Sequence, residues 1–277
     1  MSRLWRDRIL IALAPAALAI TRVSRGRRPA AAGHRTVECD PAAGPEPWRG
    51  VVAALPPLAQ SLKDERADVT VVLSNHFVRY ALVPRDPGLD TDEEELAFAR
   101  FWFAKIHGER SKGWQVLLDR RGGGSARVAG AVDDALLQAV RGCFKAGAKA
   151  RLVSVQPYLM AAFNRWRRQL SAANASLLLV EPDRACLARL ENGRWSAVHS
   201  ARGSFDGAPE WAGFLERERH LAAGAVASTE VLVHAPSRAA AESLQADAWR
   251  FKPLADPVVA GLARRADPYL AMALCAL

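Results

Sequence analysis

The sequence predicts an α/β protein built from two like halves, and three observations carry that expectation. A run of three strand-like segments opens the chain at Arg8–Ala14, Ala17–Val23 and His34–Glu38, and a second run of the same kind returns at Ser176–Glu181, Arg184–Leu190 and Trp195–Ser200. Each run is followed by segments that alternate between helical and strand periodicity. Half of the 277 residues are hydrophobic and 24% are charged, which provides the apolar surface for a sizeable core and argues against long disordered tracts.

The first two segments admit two readings. Arg3, Arg6 and Arg8 precede the apolar run Ile9–Ile20, and Ala17, Leu18 and Ala19 mimic a signal-peptidase site, so the start resembles a cleaved export signal ending near Ala19. The preferred reading is two strands meeting at a turn near Pro15, because the strand-like alternation continues through Val23 before Gly26 interrupts it. No other stretch is apolar for long enough to span a bilayer.

A proline-bounded segment follows, with Trp48, Val51, Val52, Leu55, Leu58 and Leu62 at helical intervals and a break expected at Pro56 and Pro57. Val69–Leu73 is an uninterrupted run with the character of a buried central strand, and Ser74, Asn75 and His76 separate it from a second strand, Val78–Val83. Thr91 and Glu94 form a capping box ahead of Leu96, Ala99, Phe103 and Ile106, which gives the acidic stretch Asp90–Glu95 a structural cause at a helix start. Trp114–Leu118 and Arg127–Val132 read as a hairpin across the Arg120–Ser125 loop. Asp133 or Asp134 then caps a helix carrying Leu136, Leu137, Val140 and Phe144.

Leu152–Val155 is a short strand, and from Pro157 onward Tyr158, Leu159, Ala162, Phe163, Trp166 and Leu170 repeat at helical spacing. In the second half, Asn192-Gly193 is the strongest hairpin signal of the chain. Helices are expected at Pro209–Leu221, Arg238–Trp249 and Asp267–Leu277, with a strand at Glu230–His234. The expected division is a first half at 1–170, with an inserted α/β subdomain at about 85–150, and a second, abbreviated half at 171–277.

The formal charge is +9, and eight arginines against one acid, Asp7, lie in the first 35 residues. That balance favours an acidic partner or an anionic membrane face. Nucleic acid is not expected, since no basic–aromatic interleaving or zinc-finger signature accompanies the charge. Cys39, Cys143, Cys186 and Cys275 are scattered without metal-ligand spacing, so neither a disulfide framework nor a metal site is expected.

Two meanders, each followed by alternating helices and strands, describe the duplicated core of the actin, Hsp70 and sugar-kinase fold, the actin-like (ribonuclease H-like) class. The blocks Leu73–Pro84 (LSNHFVRYALVP) and Val153–Trp166 (VSVQPYLMAAFNRW) resemble those of bacterial proteins related to PilM, the actin-like component of type IV pilus assembly. The cytoplasmic part of GspL-type secretion proteins is similar. The resemblance implies a protein that docks at the cytoplasmic face of the inner membrane by holding the short cytoplasmic tail of a bitopic partner. By the same resemblance, Phe98 and Trp102 in the insertion are candidate groove residues.

In the ATP site of that fold, a backbone-rich turn after the first strand of each half holds phosphate and an acidic residue positions the metal. Here the first turn reads Ala12 to Pro15, with alanine where the acid and the glycine belong. The second reads Val180 to Asp183, keeping carboxylates but placing Pro182, which has no N–H, in the cradle. The adenosine-side loop, commonly Gly-Gly, reads Val233 to Ser237. A non-catalytic scaffold without cofactor is therefore expected. The alternative is an ATP-dependent enzyme with unusual loops, using Glu181 or Asp183 as its metal carboxylate.

Other chemistry is weakly signalled. Gly122, Gly123, Gly124 and Ser125 lack the ending of a phosphate loop and read as a hairpin connection. Ser74 and His76 would share a side of an extended chain, without a nucleophile elbow or an orienting acid. Asn75 and His76 read first as a turn whose side chains bond backbone. A partner-binding or interdomain network formed by Asn75, His76, Phe77 and Arg79 with Gln156, Tyr158 and Asn164 is the functional reading. Four aromatics, Phe98, Phe101, Trp102 and Phe103, cannot share one helix face, so at least one is expected to point outward. Arg165, Arg167 and Arg168 suit the end of a helix dipole and are available to anionic lipid.

Overall fold

The computed structural model describes residues 6–25, 30–42, 44, 46–119, 126–144, 148–170, 174–221, 229–236, 244–262 and 267–277. In chain order the elements are β1 (Asp7–Ala14), β2 (Ala17–Val23), β3 (Ala31–Glu38), α1 (Arg49–Ala53), α2 (Leu55–Leu62), β4 (Ala67–Leu73), β5 (Val78–Pro84) and α3 (Asp92–His107). There follow β6 (Trp114–Leu118), β7 (Ala126–Asp133), α4 (Asp134–Cys143), β8 (Arg151–Pro157), α5 (Tyr158–Arg165) and α6 (Arg167–Leu170). The second half contributes β9 (Asn174–Glu181), β10 (Arg184–Glu191), β11 (Arg194–Arg202), α7 (Ala208–Leu221), β12 (Glu230–His234), β13 (Leu244–Ala246), β14 (Trp249–Pro253) and α8 (Pro268–Leu274).

The first sheet has the order β3-β2-β1-β4-β8 and the second β11-β10-β9-β12-β14-β13. In each, an antiparallel meander is continued by parallel strands: β1, β4 and β8 in the first, β9, β12 and β14 in the second. The duplication read from the sequence is thus a duplication of strand order. The apolar run that mimics an export signal is β1 and β2, and β1 is buried from Ile9 to Ala14 because it lies between β2 and β4 with both faces covered. The second sheet is not the shorter one. Among the described residues, what the second half lacks is a counterpart to the insertion of β5, α3, β6 and β7.

By compactness the chain forms two units, one of Met1–Val78, Asp133–Arg165 and Asp256–Leu277, the other of Arg79–Val132 and Trp166–Ala255. These units and a repeat boundary near residue 170 coincide only in part. In the first unit α8 packs on β1 and β2, Arg8 donates to the Leu277 carbonyl at 2.9 Å, and Asp267, which caps α8, bonds Thr36. In the second, α7 covers the sheet through Trp211, Phe214 and Leu215, packed with Leu178, Leu187, Val231, Trp249 and Phe251. The same unit holds a small three-stranded sheet, β5-β7-β6, whose core of Ala81, Val83, Val116 and Ala129 is closed by Ala99 and Phe103 of α3.

Local signals explain most boundaries. The Trp48–Lys63 segment splits at Ala54, and Pro56 and Pro57 fall in the first turn of α2, where their missing N–H groups have no intrahelical acceptor to serve. Asp133 caps α4 through the Ala135 N–H at 2.9 Å. Asn192 and Gly193 both take positive φ (51° and 71°), the mirror-image turn that matches strand twist. One element departs from expectation. The segment Arg238–Trp249 is not a helix where it is described: Leu244–Ala246 and Trp249–Pro253 pair as a hairpin around Asp247, whose φ is 51°. Trp249 and Phe251 are buried while Arg250 and Lys252 are exposed, a period of two that the alanine-rich lead-in masks in the sequence. Residues 237–243, and the Arg120–Ser125 loop with its glycines, lie outside the described residues.

The capping box of α3 is complete: Thr91 Oγ1 accepts from the Glu94 N–H at 3.2 Å, and Glu94 accepts from the Thr91 N–H at 3.0 Å. Hydrogen bonds from the Thr91 hydroxyl, then from the Thr91 and Asp90 N–H groups, hold the Glu94 carboxyl below the usual carboxylate range. A depressed folded value means that the contribution is present above the unfolded carboxylate range and is lost as pH falls through the folded value. Thr91→Ala is expected to cost about 1 kcal/mol near neutrality. Thermal melts should show the gap between native and variant closing in acid.

Candidate functional site

The polar triplet after β4 is where the chain leaves the first sheet. β4 and β8 run parallel with Val72 opposite Gln156 and Leu73 opposite Pro157, so the residues after both strands emerge at the same end. Ser74 is fully buried. Its N–H donates to the Leu13 carbonyl at 2.9 Å, and its Oγ accepts from the His76 N–H at 3.1 Å. The Phe77 N–H closes the turn on the Ser74 carbonyl at 3.0 Å. Ser74 is thus a turn-former, and its burial removes it from reach as a nucleophile.

Asn75 is also fully buried, and its Oδ1 accepts from the Leu159 N–H at 3.3 Å in the first turn of α5. This is a helix cap supplied by a residue 84 positions away, satisfying a donor that the helix start leaves open. Tyr158, fully buried, begins the same helix, and Gln156 is engaged by Ser154 at 3.0 Å. Asn75, Gln156 and Tyr158 are therefore brought to one end of the first sheet. Asn164 is not: it sits six residues along the chain from Tyr158, exposed on α5. His76 is half-buried and Phe77 is 5% exposed. The sequence carries no signal for the Asn75 cap, because donor and acceptor meet only through the register of β4 and β8.

The insertion holds Phe98 and Trp102 on α3, both half-buried, with ring centroids 6.1 Å apart and Lys105 Nζ 5.8 Å from the Trp102 ring. Phe103 is buried, and Phe101 is the aromatic that points outward at 61% exposure. Phe98 lines a shallow pocket with Val83, Leu89, Leu118 and the ion-paired Glu95 and Arg127. Arg79, on β5, is half-buried, and its acidity is increased by burial and then by Arg184 and Arg202.

The turns of the two meanders are tight. Ala14 pairs with Ala17, so Pro15 and Ala16 alone make the first turn, and Ala12 and Leu13 lie inside β1. Glu181 pairs with Arg184, so Pro182 and Asp183 make the second. Glu181 is 8% exposed, whereas Asp183 is exposed at φ 56° with its carbonyl accepting from Gly203 at 3.2 Å. Of the adenosine-side segment, Val233 and His234 end β12 and Ala235 and Pro236 are buried, while Ser237 lies outside the described residues.

This architecture is that of the actin-like fold. The PilM–PilN type IV pilus biogenesis complex contains a chain similar to this one at 18% identity over 97% of this chain and 96% of that chain, with a TM-score of 0.61. The cytoplasmic domain of EpsL, an inner-membrane component of the type II secretion system of Vibrio cholerae, is similar at 14% identity over 97% and 92%, with a TM-score of 0.56. A Bacteroides thetaiotaomicron protein with an actin-like ATPase fold and unknown function is similar at 11% identity over 84% of each chain, TM-score 0.56. No protein-family model and no curated protein matches the sequence. At these identities the likeness is one of fold.

Proposed function

We propose that the protein is a non-catalytic assembly scaffold of a type IV pilus or secretion-type machine, located at the cytoplasmic face of the inner membrane. It holds the cytoplasmic tail of a bitopic partner. The observation that carries this reading is the pair of meander turns. Each has only two residues, one of them a proline without an N–H, and neither contains the glycine that lets phosphate approach backbone. The first turn also has no carboxylate for a metal ion. Support for the assembly role comes from the likeness over nearly the whole chain to proteins of a pilus biogenesis complex and of a secretion system.

The partner's tail would lie against the insertion, where Phe98 and Trp102 offer half-buried aromatic surface beside the outward-pointing Phe101. Among the described residues no helix is long and apolar enough to cross a membrane, so attachment would be peripheral. Arg165, Arg167 and Arg168, all exposed, would add attraction to an anionic leaflet of about 1 kcal/mol per arginine.

Calorimetry of the purified full chain with Mg-ATP is expected to give no saturable heat, and a pull-down from its own membrane fraction a bitopic protein. The Phe98→Ala, Trp102→Ala double variant should bind that protein at least about tenfold more weakly, since each buried aromatic anchor is worth on the order of 1–2 kcal/mol. Saturable Mg-ATP binding with turnover, and no membrane partner, would overturn the reading in favour of an enzyme.

A further inference from the structure

We propose that the far end of β10, beneath the last turn of α7, is a binding site for a monocarboxylate, gripped by the side-on edge of the Arg189 guanidinium. The site lies wholly in the second unit and is independent of the assembly role. In the ladders of the second sheet, Arg189 stands directly opposite Ser176 on β9 and Ala197 on β11, and Leu187 directly opposite Leu178 and His199. Directly opposed residues of antiparallel strands share a face, as do residues two apart on one strand, so all six lie on one face. That face is the one α7 covers, since Leu178 and Leu187 pack with Trp211, Phe214 and Leu215. Glu218 follows Leu215 by three positions and Phe214 by four, so it faces the sheet from the same side of α7 and is buried there.

The guanidinium at this end of the face has donors to spare. Arg189 is 7% exposed, and both its Nε and its Nη2 are buried with no hydrogen-bond partner among the described residues. The Glu218 carboxylate is engaged by other groups: Oε1 accepts from Arg217 Nε at 3.3 Å and Nη2 at 3.1 Å, and Oε2 lies 3.0 Å from His199 Nδ1. Burial pushes the Arg189 guanidinium toward its neutral form, while Glu218 and then Glu191 act through space in the opposite sense. A buried donor left without an acceptor costs stability, and more so when it is charged.

Geometry and charge together decide the class of ligand. Nε and Nη2 carry the two parallel N–H bonds of one guanidinium edge, spaced for the two oxygens of a single carboxylate. Glu218 and Glu191 already act on this guanidinium, and their negative charge opposes a second charge on the ligand, which favours a monoanion over phosphate. Approach is from the side of His199 and Arg217, whose side chains are 46% and 58% exposed where they meet Glu218. A free small carboxylate and the terminal carboxylate of a peptide present the same group to this edge.

The test is a titration of the full chain with acetate and with N-acetylglycine, which carries its carboxylate on a peptide unit, at an ionic strength held constant with chloride. Saturable binding in the millimolar range is expected. It is read as a shift of the Arg189 Nε–H resonance in nitrogen–proton NMR and as a rise of about 3 °C in melting temperature at about ten times the dissociation constant. Phosphate should bind more weakly than acetate. Tighter binding of N-acetylglycine would assign the site to a peptide terminus, and equal or tighter binding of acetate to a free small carboxylate. Arg189→Lys keeps the charge but loses the parallel pair and should weaken acetate binding by about tenfold or more. Arg189→Met should abolish the acetate-induced rise in melting temperature. If neither variant folds, the resonance shift in the native protein decides. Absence of saturable binding, acetate binding unchanged in either variant, or phosphate binding as tightly as acetate would overturn the proposal.

Discussion

A chain that begins at Ile20, as cleavage after Ala19 would leave it, is expected to accumulate as insoluble material. Such a chain lacks β1 entirely and the first three residues of β2. β1 is the centre of its sheet, paired over seven positions to β2 and over seven to β4. Ile9, Leu10, Ile11, Leu13 and Leu18 are each at most 1% exposed. Burying one such side chain contributes about 1.5–3 kcal/mol, so five contribute on the order of 10 kcal/mol. A whole domain is stable by about 5–15 kcal/mol. The loss also leaves a long, apolar β4 without its neighbour on one side, a template for pairing between chains. Solubility after lysis, followed by circular dichroism of any soluble fraction, checks the expectation. A soluble truncated chain with native secondary structure would show that β1 is dispensable. The same truncation bears on export, since a chain processed at that point would have to fold without its central strand.

The second large effect is expected at Trp211. This α7 residue is 2% exposed, donates its ring N–H to the Phe205 carbonyl at 2.9 Å, and meets the Phe251 ring edge-on with centroids 5.3 Å apart. Trp211→Ala removes the largest side chain that joins α7 to the second sheet, at about 3–5 kcal/mol for the lost burial and the cavity. Trp211→Phe keeps most of the apolar contact and leaves the Phe205 carbonyl without that donor, a cost of about 1–3 kcal/mol. Denaturant titrations should rank native, phenylalanine and alanine in that order. Amide exchange should rise first over β9, β12 and β14, the strands α7 covers. Equal stability of the alanine and native proteins would mean that α7 contributes little to this core.

Much of the fold was legible because its signals are local. Thr91 and Glu94 are three residues apart, and their reciprocal bonds form wherever that helix starts. Asn192-Gly193 sets its turn by backbone conformation alone, since both residues tolerate positive φ. The burial of β1 was visible as an unbroken apolar run, although the same run fits an export signal, and only pairing with β2 and β4 distinguishes them. The hairpin of β13 and β14 was missed for a related reason. Its buried residues, Trp249 and Phe251, are two in number, and two positions are too few to outweigh the helix preference of the alanine-rich stretch before them.

The candidate site was legible in a different measure. Its residue types and the degenerate meander turns could be read from the chain, as could the expectation that at least one of four helix aromatics points outward, which proves to be Phe101. That the Asn75 side chain would serve backbone could be read; that the backbone it serves belongs to a helix start 84 residues away could not.

By itself, the sequence determined the two meanders, the capped starts of α3 and α4, and the absence of a glycine cradle in either meander turn, because each depends on residues a few positions apart. Only the tertiary structure decided that α8 closes over β1 and β2, and that Asn75 caps a helix 84 residues away. Those facts depend on strand register and on which sheet a segment joins. Register is fixed by the whole buried face at once, and no window of neighbouring residues contains it.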